Sequence, residues 1–231
     1  MNTRKQLTEA EIVGDYTAIR GQITQILLPM ERCEKGKHLI QPLAGTTLGI
    51  VYVADLPGES PMKRKLIPIT WMMVETWGVP FTELLQTAED NRLAIRRPLV
   101  MPIEEILREA GTEIPSCPLL VVTNECRSYG AVSITYPEIQ EQVRAWYSGK
   151  DFFVLPSSVH ETICVPADVG TPEGLLAMVS DVNRSLLPGD YLARDVYRVA
   201  DGHLRSMATS FQEQVPPVSP VIPDPDEELF A

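Results

Sequence analysis

Between Phe152 and Pro166 two apolar runs, Phe152-Phe153-Val154-Leu155 and Thr162-Ile163-Cys164-Val165, bracket the polar segment Pro156-Ser157-Ser158-Val159-His160-Glu161. Short runs rich in Val, Ile and Phe read as buried or half-buried strands, and the Pro-Ser-Ser break reads as the turn between them. The pair therefore implies a sheet, with two hydroxyls, an imidazole and a carboxylate gathered at a strand–strand junction. Nowhere else in the chain do side chains of catalytic type crowd together in this way.

The same order of elements recurs. Thr47 to Val53 reads as a strand, Pro57 to Pro61 as a turn and Lys65 to Ile69 as the returning strand. Thr70 then offers an N-cap hydroxyl to a short helix that Gly78 ends, with Trp71 expected in the core. A second unit starts with Leu119 to Thr123, returns through Gly130 to Ile134 and enters a helix at Pro137, with Ile139, Val143, Trp146 and Tyr147 on one face. In the third, Thr171-Pro172 follows the Phe152 strand pair and opens a helix with Leu175, Val179, Val182 and Leu186 in register. Phe81 to Arg92 and Pro102 to Glu109 carry helical spacing and are expected to cover sheet faces, whereas Leu7 to Leu28 allows a helix interrupted by Gly14 and Gly21. The expected fold is α+β, with antiparallel sheets built from recurring strand–strand–helix units and helices on one face. Residues 1–46 read as a helical or irregular amino-terminal segment, 47–205 as the α+β body with a candidate subdivision near 111–118, and 206–231 as a disordered Pro-rich acidic tail.

Charge narrows the function classes. A net charge of −11 opposes adhesion to phosphate backbones and anionic lipid, both of which require a Lys/Arg field. The compact basic run Arg92, Arg96, Arg97 reads as a solvated helix end. No apolar h-region follows Met1 to Glu9, and no window reaches the roughly 18 apolar residues of a membrane span, so a cytoplasmic location is expected. Cys33, Cys117, Cys126 and Cys164 are scattered and read as reduced thiols; with His38, His160 and His203 they form no ligand spacing, so no metal is expected. Phosphate-loop and dinucleotide fingerprints are missing, so no cofactor is expected.

The Ser157-to-Glu161 segment supports two opposite chemistries. In a hydrolase Ser157 or Ser158 would be the nucleophile, His160 the base and Glu161 its orienting carboxylate. Side chains alternate along a strand, however, which sends His160 and Glu161 to opposite faces, and no Gly-x-Ser-x-Gly elbow supplies an oxyanion hole. The other chemistry is a polar cluster. Ser157 and Ser158 satisfy turn amides, His160 ties a ring nitrogen to a carboxylate or carbonyl, and Thr123 and Asn124 meet the turn at one end of the sheet. The leading expectation is a non-catalytic binding or regulatory protein with a protein partner. A Ser/His hydrolase is the alternative, and an acidic nucleic-acid mimic that inhibits a basic protein is a third.

Pro68-Ile69-Thr70-Trp71-Met72-Met73-Val74-Glu75-Thr76-Trp77-Gly78-Val79, Val122-Thr123-Asn124 with Gly130-Ala131, Leu155-Pro156-Ser157-Ser158-Val159-His160-Glu161 and Val182-Asn183 occur in this order. Together they resemble an uncharacterised family of bacterial proteins, common among Firmicutes and often found near mobile elements. The likeness runs from about Leu48 to Val199. It implies a shared fold and an accessory role for a mobile element, and it carries no catalytic residue. Two features depart from the family: a short region before Leu48, and Pro80 where members carry a Ser or Thr cap.

Proline-rich acidic segments bury too little apolar area to offset their ordering entropy. Deleting Val215 to Ala231 is therefore expected to leave the thermal midpoint within a few degrees, as read by a calorimetric or circular-dichroism melt.

Overall fold

The structure is a computed structural model that describes residues 14–34, 36–60, 63–200 and 202–207. The Pro-rich acidic tail from residue 208 onward lies outside the described residues. Asp15 caps a one-turn helix, Tyr16–Ile19 (α1), by accepting a bond from the Thr17 amide at 2.8 Å. The chain then enters strand Ile23–Pro29 (β1), and later the short strand Ile40–Pro42 (β2), the long strand Leu48–Ser60 (β3) and Lys63–Pro68 (β4). β3 is central to this first antiparallel sheet. One of its edges pairs with β1 from Ile23↔Ala54 to Pro29↔Leu48, and the other is shared by β2 at 49–51 and β4 from Val53↔Pro68 onward. Residues 23–42, expected to be helical or irregular, thus supply two strands to the body. Every residue of β1 is buried, so the long apolar run satisfies a strand covered on both sides better than a half-wet helix.

Thr70 caps helix Trp71–Trp77 (α2) through the Met73 amide, and Gly78 ends it at φ 65°. Both tryptophans lie half-buried against the core, Trp71 with its ring 5.2 Å from Phe81 and Trp77 with its ring 5.6 Å from Tyr16. Helix Phe81–Ile95 (α3) buries Leu84 and Ala88. The chain continues through strand Pro98–Pro102 (β5), helix Ile103–Glu109 (α4), strand Leu120–Asn124 (β6), helix Pro137–Trp146 (α5), strands Phe152–Leu155 (β7) and Thr162–Pro166 (β8), helix Pro172–Asn183 (α6), and strands Tyr197–Ala200 (β9) and His203–Ser206 (β10). These strands form a six-stranded antiparallel sheet in the order β10-β9-β7-β8-β6-β5. β10 carries the α+β body one residue past its expected end at 205, to Ser206.

Alternation along β7 divides two cores. Phe152 and Val154 join Leu120, Val122, Cys164 and Tyr197 in a large core shared with the first sheet and with Ile139 and Val143 of α5. Phe153 and Leu155 join Val165 and Val196 in a smaller one under Leu175 and Val179 of α6. The α+β class with antiparallel sheets is thus what the structure has, but α5 and α6 take opposite faces of the second sheet. The middle repeat also differs from its expected form. Gly130–Thr135 is a 3₁₀ helix and not a returning strand, because β5 and β8 already occupy the two edges of β6. Trp146, expected on the buried face of α5, is 55% exposed, whereas Tyr147, expected on the same face, is buried, its hydroxyl donating to the Cys164 carbonyl at 2.8 Å.

Of the basic run, Arg97 is solvated, its side chain 69% exposed, but Arg92 and Arg96 are not. Arg92 pairs with Glu89 at 2.8 Å and with Glu138, and lies over the Tyr136 ring at 4.4 Å. Arg96 is only 4% exposed, and its Nε donates at 2.6 Å to Oδ2 of Asp55, which is wholly buried in β3. Arg64 holds the other Asp55 oxygen at 2.6 Å and the Asp55 carbonyl at 2.9 Å. Removing one partner of a buried pair leaves the other charge uncompensated. Asp55→Ala is therefore expected to cost about 3–5 kcal/mol in a denaturant melt, and more than Arg64→Ala, whose side chain is 21% exposed.

Candidate functional site

The second sheet brings three loops together at one end, 124–130 after β6, 156–161 between β7 and β8, and 188–191 between α6 and β9. Asn124 shapes the first. Its Nδ2 donates to the Ser128 carbonyl at 2.9 Å and its Oδ1 accepts from the Ser128 amide at 3.3 Å, closing the loop on one side chain. Within it Arg127 and Tyr129 hold φ of 48° and 51°, the left-handed region that costs a non-glycine residue of order 1–3 kcal/mol. That strain is held by contacts from outside the loop: Arg96 donates to the Ser128 carbonyl, and its guanidinium lies 5.9 Å from the Tyr129 ring centroid. Gly130 follows because of crowding, since a Cβ there would sit 2.6 Å from both the Asn124 amide and Thr123 Oγ1 and 2.8 Å from the His160 carbonyl.

His160 joins all three loops. Its carbonyl accepts from Thr123 Oγ1 at 2.8 Å and from the Gly130 amide at 3.0 Å. Its Nδ1 lies 3.1 Å from the Tyr129 amide and its Nε2 lies 3.1 Å from Asp190 Oδ1. A backbone amide can only donate, so Nδ1 is the acceptor and the neutral ring carries its proton on Nε2, directed at Asp190. Ser158 works through the main chain: its amide donates to the Glu161 carbonyl at 3.1 Å, and its hydroxyl accepts from the His160 amide at 3.1 Å. The Asp190 carbonyl takes the Val159 amide at 2.8 Å, and Arg32 steadies that loop by donating to the Gly189 carbonyl at 2.7 Å.

Of the residues singled out in the sequence, Thr123, Asn124, Ser158 and His160 share one hydrogen-bonded network. Ser157 is half-buried and stays outside that network, and Glu161 enters it through its carbonyl alone. No hydrogen bond among the described residues joins a serine hydroxyl to the His160 ring, and the carboxylate on that ring comes from Asp190. Asp190 sits in Pro188-Gly189-Asp190, which is legible as a turn, but nothing in the sequence relates it to a histidine 30 residues away. Arg96, Arg32 and the Tyr129 amide were equally invisible, since each acts across elements that only the fold juxtaposes.

All four cysteines are free thiols, and burial pushes the Cys33 and Cys164 thiols up, away from the thiolate form. Among the described residues no group of three or more His, Cys, Asp or Glu could hold a metal ion, and no helix is long and apolar enough to cross a membrane.

A family profile of unknown function, DUF5688, matches residues 1–199. The chain belongs to that family. The match contains every residue of the three loops and carries the likeness seen from Leu48 onward back to residue 1. No curated protein and no solved structure matches the chain.

Ser158→Ala and His160→Ala are each expected to lower stability by about 1–3 kcal/mol through orphaned partners, and to combine near-additively, because Ser158 bonds the His160 main-chain amide, which His160→Ala keeps, while the ring bonds Tyr129 and Asp190. Gly130→Ala should cost a similar amount by overpacking, whereas Glu161→Ala should stay within about 0.5 kcal/mol. Chemical denaturation of the set checks all four.

Proposed function

We propose that this protein is a non-catalytic binding or regulatory protein whose recognition surface is the three-loop end of the second sheet. The observation that carries this reading is that both ring nitrogens of His160 are committed, one to the Tyr129 amide and the other to Asp190. A general base for Ser157 or Ser158 needs a ring lone pair facing the hydroxyl; here the remaining lone pair holds a loop in shape. The composition of the surrounding surface favours recognition. Tyr129 packs edge-on against His160 at 5.3 Å, Tyr191 follows Asp190 with Arg194 5.8 Å from its ring, and Arg32 grips the same loop. Tyr and Arg are the types that dominate binding hot spots, and loops fixed on a rigid sheet are where binding residues concentrate. The partner on this reading is a protein, and an accessory role for a mobile element is the setting that the sequence resemblance suggests.

The experiment pairs affinity capture from the native host with activity-based labelling. The wild type should retain a stoichiometric protein, Tyr191→Ala should lose it while keeping the wild-type melting temperature, and a fluorophosphonate probe should leave the wild type unlabelled. Stoichiometric labelling that Ser157→Ala or Ser158→Ala abolishes would replace this reading with the Ser/His hydrolase.

A further inference from the structure

The two ring contacts of His160 respond to a proton in opposite ways. With the ring neutral, Nδ1 accepts from the Tyr129 amide at 3.1 Å while Nε2–H donates to Asp190. Protonation puts a second N–H on Nδ1 and sets donor against donor at that distance; rotating the ring does not help, because both nitrogens of an imidazolium are donors. The Asp190 contact gains instead, since a charged N–H binds a carboxylate more strongly than a neutral one. The geometry points to His160 as a proton-operated latch that stays with Asp190 on protonation and releases the 124–130 loop at Tyr129.

Two further observations support release at this point. Tyr129 and Arg127 are held at positive φ, so freeing the Tyr129 amide removes one of the contacts that hold this strained backbone. The bonds from Thr123 Oγ1 and the Gly130 amide go to the His160 carbonyl, which protonation leaves unchanged, so opening is confined to residues 125–129. Solvent can deliver the proton, since the His160 and Asp190 side chains are 33% and 34% exposed. The titratable and charged groups around the ring are Asp190 in direct contact, the Tyr129 ring edge-on with Arg96 5.9 Å from that ring's centroid, Arg32 on the loop that carries Asp190, and Glu161 next in the chain. Arg127, on the released loop, is paired with Glu109 at 2.5 Å. The inference concerns loop geometry and stands whether or not the surface binds a partner.

Histidine side chains change charge between about pH 5 and 8, which sets the range for the test. On the isotope-labelled full chain, NMR would follow the His160 ring nitrogens and the exchange protection of the Tyr129 amide, corrected for intrinsic rate, across that range. At the upper end the ring should carry its proton on Nε2. As the ring protonates, Tyr129 protection should fall about tenfold, the worth of one hydrogen bond, while Gly130 keeps its protection. His160→Asn places a non-titrating amide oxygen where Nδ1 stood, and Tyr129 protection in that variant should be independent of pH. An Nδ1–H tautomer in the neutral ring, a ring that stays neutral through the range, or Tyr129 protection unchanged across the wild-type ring titration would each overturn the latch.

Discussion

A carboxylate shut away from water has to be neutralised where it sits, and in this protein that requirement falls on Asp55. Asp55 lies at the middle of the long strand β3, and its two oxygens are taken by Arg64 from the adjacent strand and by Arg96 from the end of α3. Arg96 also reaches the Ser128 carbonyl. A single guanidinium therefore connects the central strand of the first sheet to the loop that follows β6 of the second. The two sheets already share one apolar core, but apolar contact is non-directional. The ion pair adds direction, because its oxygens and N–H groups are satisfied in one arrangement only.

The loop junction inherits its rigidity from that arrangement. Arg96 holds the Ser128 carbonyl, Asn124 closes the loop from within, and the His160 carbonyl draws the 156–161 loop against Thr123 and Gly130. Only under such over-determination do Arg127 and Tyr129 remain in left-handed backbone. The absent side chain of Gly130 matters as much as any bond here, since a methyl group at that position would collide with three polar atoms that must bond one another or the chain. His160 differs from the other members in depending on its protonation state. It ties a backbone amide on one side and a carboxylate on the other, and its capacity to donate or accept, unlike that of a main-chain group, depends on its charge.

Much of the secondary structure was legible locally. Thr70 and Gly78 mark the two ends of α2, Thr171-Pro172 marks the start of α6, and the apolar runs at Phe152 and Thr162 pair as expected, because caps, Pro at N1 and strand periodicity are written within a few residues. The same local logic misplaced Ile23–Pro29 and Gly130–Thr135. An apolar run with β-branched residues suits a buried strand or a buried helix, and whether a short segment can add to a sheet depends on whether an edge is free. Of the candidate site, Thr123, Asn124, Ser158 and His160 were found because they crowd at strand ends; Ser157 and the Glu161 carboxylate were included only because they are neighbours in sequence.

By itself, then, the sequence determined the α+β class, five of the ten described strands, the caps of α2 and α6, and the polar character of one sheet end. These follow from short-range sterics and hydrogen bonding along the chain. Only the tertiary structure decided that Asp190 and not Glu161 faces the His160 ring, that Arg96 is buried against Asp55, and that the Tyr129 amide is the ring's other partner. Each of these contacts joins residues at least 30 positions apart. Their geometry is set by strand order and by which edges are filled, and hydrogen-bond direction then assigns the role of every atom.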